Sequence, residues 1–101
     1  MNTITPSELI QWQKDKVTLL LVDVRTHQER NNFHIGGIHL PFEELLNHLQ
    51  ILNTVHPIIF YCEKGIRSAL AIQRLEMRGL TNLYNLTGGI CAMKTELATE
   101  L

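Results

Sequence analysis

Cys62, followed by Lys64 and Arg67, is the chemically loaded stretch of this 101-residue chain. A thiolate, not a thiol, is the nucleophile, and nearby cations with a helix N-terminus lower a cysteine pKa from about 8.5 to between roughly 3.5 and 7.5. Pro57-Ile-Ile-Phe-Tyr61 reads as a buried strand, and a helix is predicted to run to about Arg78. Cys62 would then stand where a strand ends and open a loop reaching Arg67, the place where open α/β sheets bind ligands. Cations at a helix start are disfavoured by the macrodipole. Their presence implies an anion there, which the thiolate itself can supply. Gly65 permits the positive φ that turns successive N–H groups inward into an anion nest. The rival reading is a packing cysteine, because cysteine often closes an apolar strand without any chemistry.

The elements that must position this loop are legible on either side of it. Thr5-Pro6-Ser7-Glu8 is a helix start, with Thr5 as cap, Pro6 in the first turn and Glu8 closing a capping box, and the helix is predicted to reach about Lys14. Trp12 is expected as a core anchor. Met1 to Ile4 is short enough for no more than an edge strand. Thr18 to Val22 is continuously apolar, as in a parallel strand covered on both faces, and Asp23 follows where it ends. His27 to Asn32 reads as a short polar helix, and Gly36-Gly37 as a tight turn before a short strand ending at Pro41. Phe42, Leu45, Leu46 and Leu49 fall at amphipathic spacing, predicting a helix from Phe42 to about Gln50. Gly79 caps the helix after Cys62, Leu83 to Leu86 is the last strand, and Gly88-Gly89 turns into a final helix expected to fray near Leu101. Alternating strands and helices with short turns imply an α/β layer architecture with a mainly parallel sheet.

The run Cys62-Glu-Lys-Gly-Ile-Arg67-Ser68 resembles the active-site loop of the rhodanese family of sulfurtransferases, whose cysteine carries a sulfane sulfur as a persulfide cradled by loop amides. Three further segments resemble that family in order: Leu21-Val-Asp23-Val-Arg25 with Glu29, Phe33 to Pro41, and Leu83 to Ile90. The resemblance spans about Thr5 to Ile90 and implies a rhodanese-like fold, a five-stranded sheet with helices on both faces. It also implies roles. Cys62 is the nucleophile, the backbone from Glu63 through Lys64, Gly65 and Ile66 holds the sulfur, and Arg67 holds the loop or an anionic donor. Asp23 and Arg25 brace the mouth, with an Arg25–Glu29 ion pair one helical turn apart. His34 is given no catalytic part, since persulfide transfer needs no obligatory proton shuttle once the thiolate exists.

The implied reaction is ping-pong transfer through a covalent intermediate. Sulfur would come from thiosulfate or a protein persulfide and pass to cyanide, a thiol or a sulfur-carrier protein, with no cofactor. Cysteine phosphatases and arsenate reductases are the nearest enzymatic alternative. They place one more residue between cysteine and arginine than the four here, so this cradle suits a single sulfur better than a tetrahedral oxyanion. A rival from another class is a sulfur-carrier or regulatory binding module without catalysis, acting within a larger complex. Such domains are often fused to adenylyltransferases, a branch this sequence resembles in its loop and its Gly-Gly-Ile ending. One departure is Met93, where the family commonly has tryptophan; methionine can fill that space.

Composition bounds the rest. The length suits one domain over residues 1–101, and Met1 favours a free-standing chain. A net charge of −1 offers no basic stripe for nucleic acid. No apolar run suggests a membrane span and the N-terminus carries no signal-peptide pattern, so the expected compartment is the cytoplasm, where two cysteines stay reduced. No paired Cys/His spacing suggests a metal. Cys91 is expected to pack among Ile90, Ala92 and Met93, with a resolving role toward oxidised Cys62 as the rival reading.

Overall fold

Leu20–Asp23 (β2) and Ile58–Tyr61 (β4) are apolar on both faces because helices cover both sides of the sheet they form. The computed structural model describes residues 1–100, and its five strands are all parallel, in the order β1-β5-β4-β2-β3. The edges are Asn2–Ile4 (β1), the expected edge strand, and Ile38–His39 (β3), while Leu83–Leu86 (β5) lies beside β4. β2 and β4 run in register, Asp23 opposite Tyr61, so Cys62 emerges beside the end of β2. The strand order reverses between these two, which opens the cleft where α/β sheets place their ligands.

One face carries Pro6–Lys14 (α1) and Gly89–Thr99 (α4), packed on Leu21, Ile59 and Tyr61 through Leu9, Ile90 and Met93. On the other, Ile66–Glu76 (α3) packs Ala71, Ile72 and Leu75 on Val22, Ile58 and Phe60. Met93 is 2% exposed, so it does fill the core at the position of the family's tryptophan. Trp12 is only half-buried, edge-on to Tyr84 with ring centroids 5.4 Å apart. No helix among the described residues is long and apolar enough to cross a membrane.

The Thr5–Glu8 capping box forms as expected, and a second one, Thr26 with Glu29, opens His27–Asn32 (α2). After α3, the bonds Leu80 N–H to Leu75 carbonyl and Gly79 N–H to Glu76 carbonyl close a Schellman turn with Gly79 at φ +92°. The helix predicted from Phe42 to Gln50 is instead two 3₁₀ segments, Phe42–Asn47 and Leu49–Leu52, broken at His48. Pro41 precedes the first without a side-chain cap, and the inward residues repeat every three positions, Phe42 with Leu45 and Leu49 with Leu52. That is the period of the tighter helix, and it leaves Leu46 40% exposed. The fraying expected near Leu101 falls outside the described residues.

Candidate active site

Cys62 follows the last residue of β4, and its side chain is 1% exposed. It lies at the floor of an open depression of about 230 Å³ whose rim is Glu29, Glu63, Lys64, Ile66 and Arg67. Sγ accepts the Gly65 N–H at 3.1 Å and the Ser68 N–H at 3.4 Å, and stands 3.4 Å from Ser68 Oγ. Burial pushes the Cys62 thiol up, but the Ser68 hydroxyl and the amides of Ser68, Gly65 and Lys64 together outweigh it and bring it below the ordinary cysteine value. These donors converge because Gly65 sits at φ +97°, a left-handed turn ahead of α3 that a side chain would strain.

The loop is clamped from several sides. At the start of α4, the Ile90 N–H binds the Cys62 carbonyl at 2.9 Å and the Cys91 N–H binds the Glu63 carbonyl at 3.0 Å. From β5, Asn85 gives Nδ2–H to the Gly65 carbonyl at 3.0 Å and takes the Ser68 hydroxyl proton on Oδ1 at 2.5 Å. Arg25 reaches Glu63 at 3.3 Å, and the Arg67 fork meets Glu29 through two bonds of 2.8 Å. Arg67 holds the Glu29 carboxyl down to about 2.

The predicted Arg25–Glu29 pair does not form. The Arg25 side chain is buried and turned back on Asp23, at 3.0 and 3.2 Å, and onto the Phe33 carbonyl at 2.5 Å. Glu29 faces the other way, and helical spacing could not show that Arg67, far along the chain, would lie nearer. Cys91 is likewise not packed: it is exposed, its Sγ 3.6 Å from Glu63 Oε2, because Ile90 and Met93 take the inward face of α4. His34 accepts the Gly36 N–H on Nδ1 at 2.9 Å, a turn contact, and is not among the residues around Cys62.

A rhodanese-like domain family model matches residues 5–96. The chain belongs to this rhodanese-like family. It is 33% identical to a probable adenylyltransferase/sulfurtransferase, MoeZ, of Mycobacterium tuberculosis, across 99% of this chain and 26% of that protein. The chain thus spans about a quarter of that relative's length. It is 28% identical to the thiosulfate sulfurtransferase GlpE of Coxiella burnetii, over 93% of this chain and 90% of that one. Among solved structures, a rhodanese-like domain protein from Staphylococcus aureus superposes with a TM-score of 0.86 at 29% identity, over 92% of this chain and 91% of that one. A rhodanese-related protein from Thermoplasma volcanium gives 0.84 at 29%, over 95% and 93%.

Within this rhodanese-like fold, the sequence-predicted residues Cys62, Glu63, Lys64, Ile66 and Arg67 come together around one depression, with Gly65 beneath. Asp23 and Arg25 sit behind the loop, and Arg25, itself held by Asp23, reaches it through Glu63. Sequence reasoning missed three participants. Ser68 was in the motif but carried no role, Asn85 lies seventeen positions further on with no local signal, and Glu29 was paired with the wrong arginine. The Thr26–Glu29 capping spacing was a signal that the carboxylate is held in place.

Proposed function

We propose that this rhodanese-like chain, acting as one domain over residues 1–101, is a sulfurtransferase whose Cys62 carries sulfur as a persulfide. The observation that carries the reading is a cysteine that stays ionisable although buried, because amide and hydroxyl donors face its sulfur at the floor of an open depression. Cys62 thiolate attacks the outer sulfur of a sulfane donor, the S–S bond of the donor breaks, and the remainder leaves with the electron pair. An acceptor such as cyanide, a thiol or a sulfur-carrier protein then attacks the outer sulfur and restores the thiolate. The amides of Ile66 and Arg67, in the first turn of α3, have no intrahelical acceptor and receive the outer sulfur's charge. Lys64 adds positive field at the rim, and Arg67 holds the loop through Glu29. No cofactor takes part. A reducing compartment, the cytoplasm, keeps Cys62 free for this cycle.

Intact mass tests this. The wild type incubated with a sulfane donor gains one sulfur, loses it again on adding cyanide, and Cys62→Ser gains none. Sulfur uptake by Cys62→Ser would sink the assignment. A wild type that takes up no sulfur from thiosulfate, a thiosulfonate or a protein persulfide would favour the non-catalytic binding module instead.

A further inference from the structure

Four charged side chains surround the Cys62 depression, and their charges cancel: Glu29 and Glu63 against Lys64 and Arg67. Glu63 is engaged by Arg25 at 3.3 Å, and Glu29 takes both arms of Arg67 at 2.8 Å. Among the described residues only Lys64 on that rim has no carboxylate partner. Glu29 is not free to swing away. Its Oε1 also accepts the Thr26 N–H at 3.1 Å and the Thr26 hydroxyl at 3.2 Å, so swinging the carboxylate off Arg67 would break the Glu29 half of the capping box that opens α2. An incoming anion therefore meets an arginine already neutralised, above a thiolate that adds a further negative charge. Bidentate capture of a dianion by that guanidinium end is closed off, because the same fork is filled by carboxylate.

We infer that Glu29 is a specificity-determining residue: by occupying Arg67 it sets this site for sulfane donors of low charge, organic persulfides and thiosulfonates, over the thiosulfate dianion. The inference rests on the sulfurtransferase reading above. With a thiosulfonate the step balances as it stands. Cys62 thiolate bonds to the outer sulfur, the bond from that sulfur to the sulfonyl sulfur breaks, and sulfinate departs with the electron pair. Cys62 is left as the persulfide anion, and no proton or outside oxidant is needed. Thiosulfate follows the same course with sulfite leaving, but brings one more negative charge into the depression throughout.

Thiosulfate and the methanethiosulfonate anion have nearly the same shape and differ by a methyl in place of one charged oxygen. The test is kcat/KM for each donor, with cyanide as acceptor, in wild type, Glu29→Gln, and the double variant Glu29→Gln with Arg67→Ala. Freeing Arg67 in Glu29→Gln is expected to raise the thiosulfate value relative to methanethiosulfonate about fivefold or more, through KM, as removal of one nearby unit charge should. The double variant is expected to lose that gain. An unchanged donor ratio in Glu29→Gln, or a gain that survives Arg67→Ala, overturns the inference. Salt dependence of the wild type gives an answer that needs no variant to fold: thiosulfate kcat/KM is expected to stay nearly flat with ionic strength. A steep fall, the mark of a cationic site steering a dianion, overturns it. Wild type that transfers from neither donor and takes up no sulfur from a protein persulfide overturns the sulfurtransferase reading itself; transfer with an unchanged ratio overturns only the part given to Glu29.

Discussion

Ser68 has one hydroxyl proton and two neighbours that want it, Cys62 Sγ at 3.4 Å and Asn85 Oδ1 at 2.5 Å. With a protonated thiol, Sγ–H donates to Ser68 Oγ and Ser68 donates to Asn85. When the thiol ionises, the hydroxyl is expected to turn to the sulfur, because a bond to a charged acceptor is about twice as strong as one between neutral groups. Asn85, which holds the Gly65 carbonyl with its amide, is therefore expected to modulate the thiolate from β5 through Ser68. Asn85→Asp places a carboxylate beside the sulfur and removes the donor to Gly65. It is expected to move the Cys62 pKa upward in a thiolate-absorbance titration, and to lower kcat/KM at neutral pH about tenfold. An unmoved titration would leave Asn85 with a structural role only. The pH dependence of wild-type sulfur uptake follows the same group: the rate should fall as pH drops through the lowered Cys62 pKa, while the thiolate is lost.

Of the elements that hold the loop, α4 and α2 each make a prediction at their own scale. α4 approaches so closely that a Cβ on Gly89, at φ +56°, would overlap the Cys62 carbonyl oxygen and the Glu63 backbone. Gly89→Ala is expected to destabilise the fold by about 1–3 kcal/mol in urea unfolding and to slow sulfur uptake, since the backbone it displaces bears Cys62. α2 acts through Glu29, whose carboxyl is held at about 2, below the ordinary 4.5, chiefly by Arg67 and against the opposing effect of burial. A carboxyl depressed in the folded state stabilises above its unfolded pKa. That contribution is lost as pH falls from about 4.5 toward 2. Solvent screening at this part-exposed pair reduces it to on the order of 1 kcal/mol. Glu29→Gln should therefore flatten the acid limb of the stability–pH curve, measured by thermal unfolding, and a limb as steep as wild type would show that other carboxylates govern it.

The whole molecule is stitched at the carboxyl ends of its strands by a buried charge network. Asp23 is 0% exposed and Arg25 2%; Asp23 accepts from the Arg25 backbone, from the Arg25 side chain and from Arg30. Arg25 in turn ties the end of β2 to the Phe33 carbonyl and to Glu63 on the loop. Removing one member of such a pair strands the other, so Asp23→Ala is expected to cost roughly 3–5 kcal/mol in equilibrium unfolding. A loss near zero would mean that the arginine finds water or another partner. Because the network lies behind the loop and not at the sulfur, the surviving folded fraction should keep a Cys62 titration close to that of wild type.

Local patterns were enough to read the strands at Ile58–Tyr61 and Leu83–Leu86, the Thr5 cap and the Gly79 stop, and to place β2 to within two residues, expected over Thr18 to Val22 and found at Leu20–Asp23, because each depends on neighbours a few residues away. The cysteine loop was legible for the same reason: strand, cysteine, glycine and cations are contiguous from Ile58 to Arg67. Phe42 to Leu52 misled because its apolar spacing satisfies an α-helix as well as two 3₁₀ turns, and only packing on the Val22–Ile58–Phe60 face chose between them. Pairings across the fold were beyond local reach. Glu29 with Arg67, Arg25 with Glu63 and Ser68 with Asn85 are set by which strands lie side by side and by the crossing of helices over them. Charge in the sequence marked the loop as cationic; tertiary structure decided which of its cations is left without a carboxylate partner, because a carboxylate from another element fills the arginine fork.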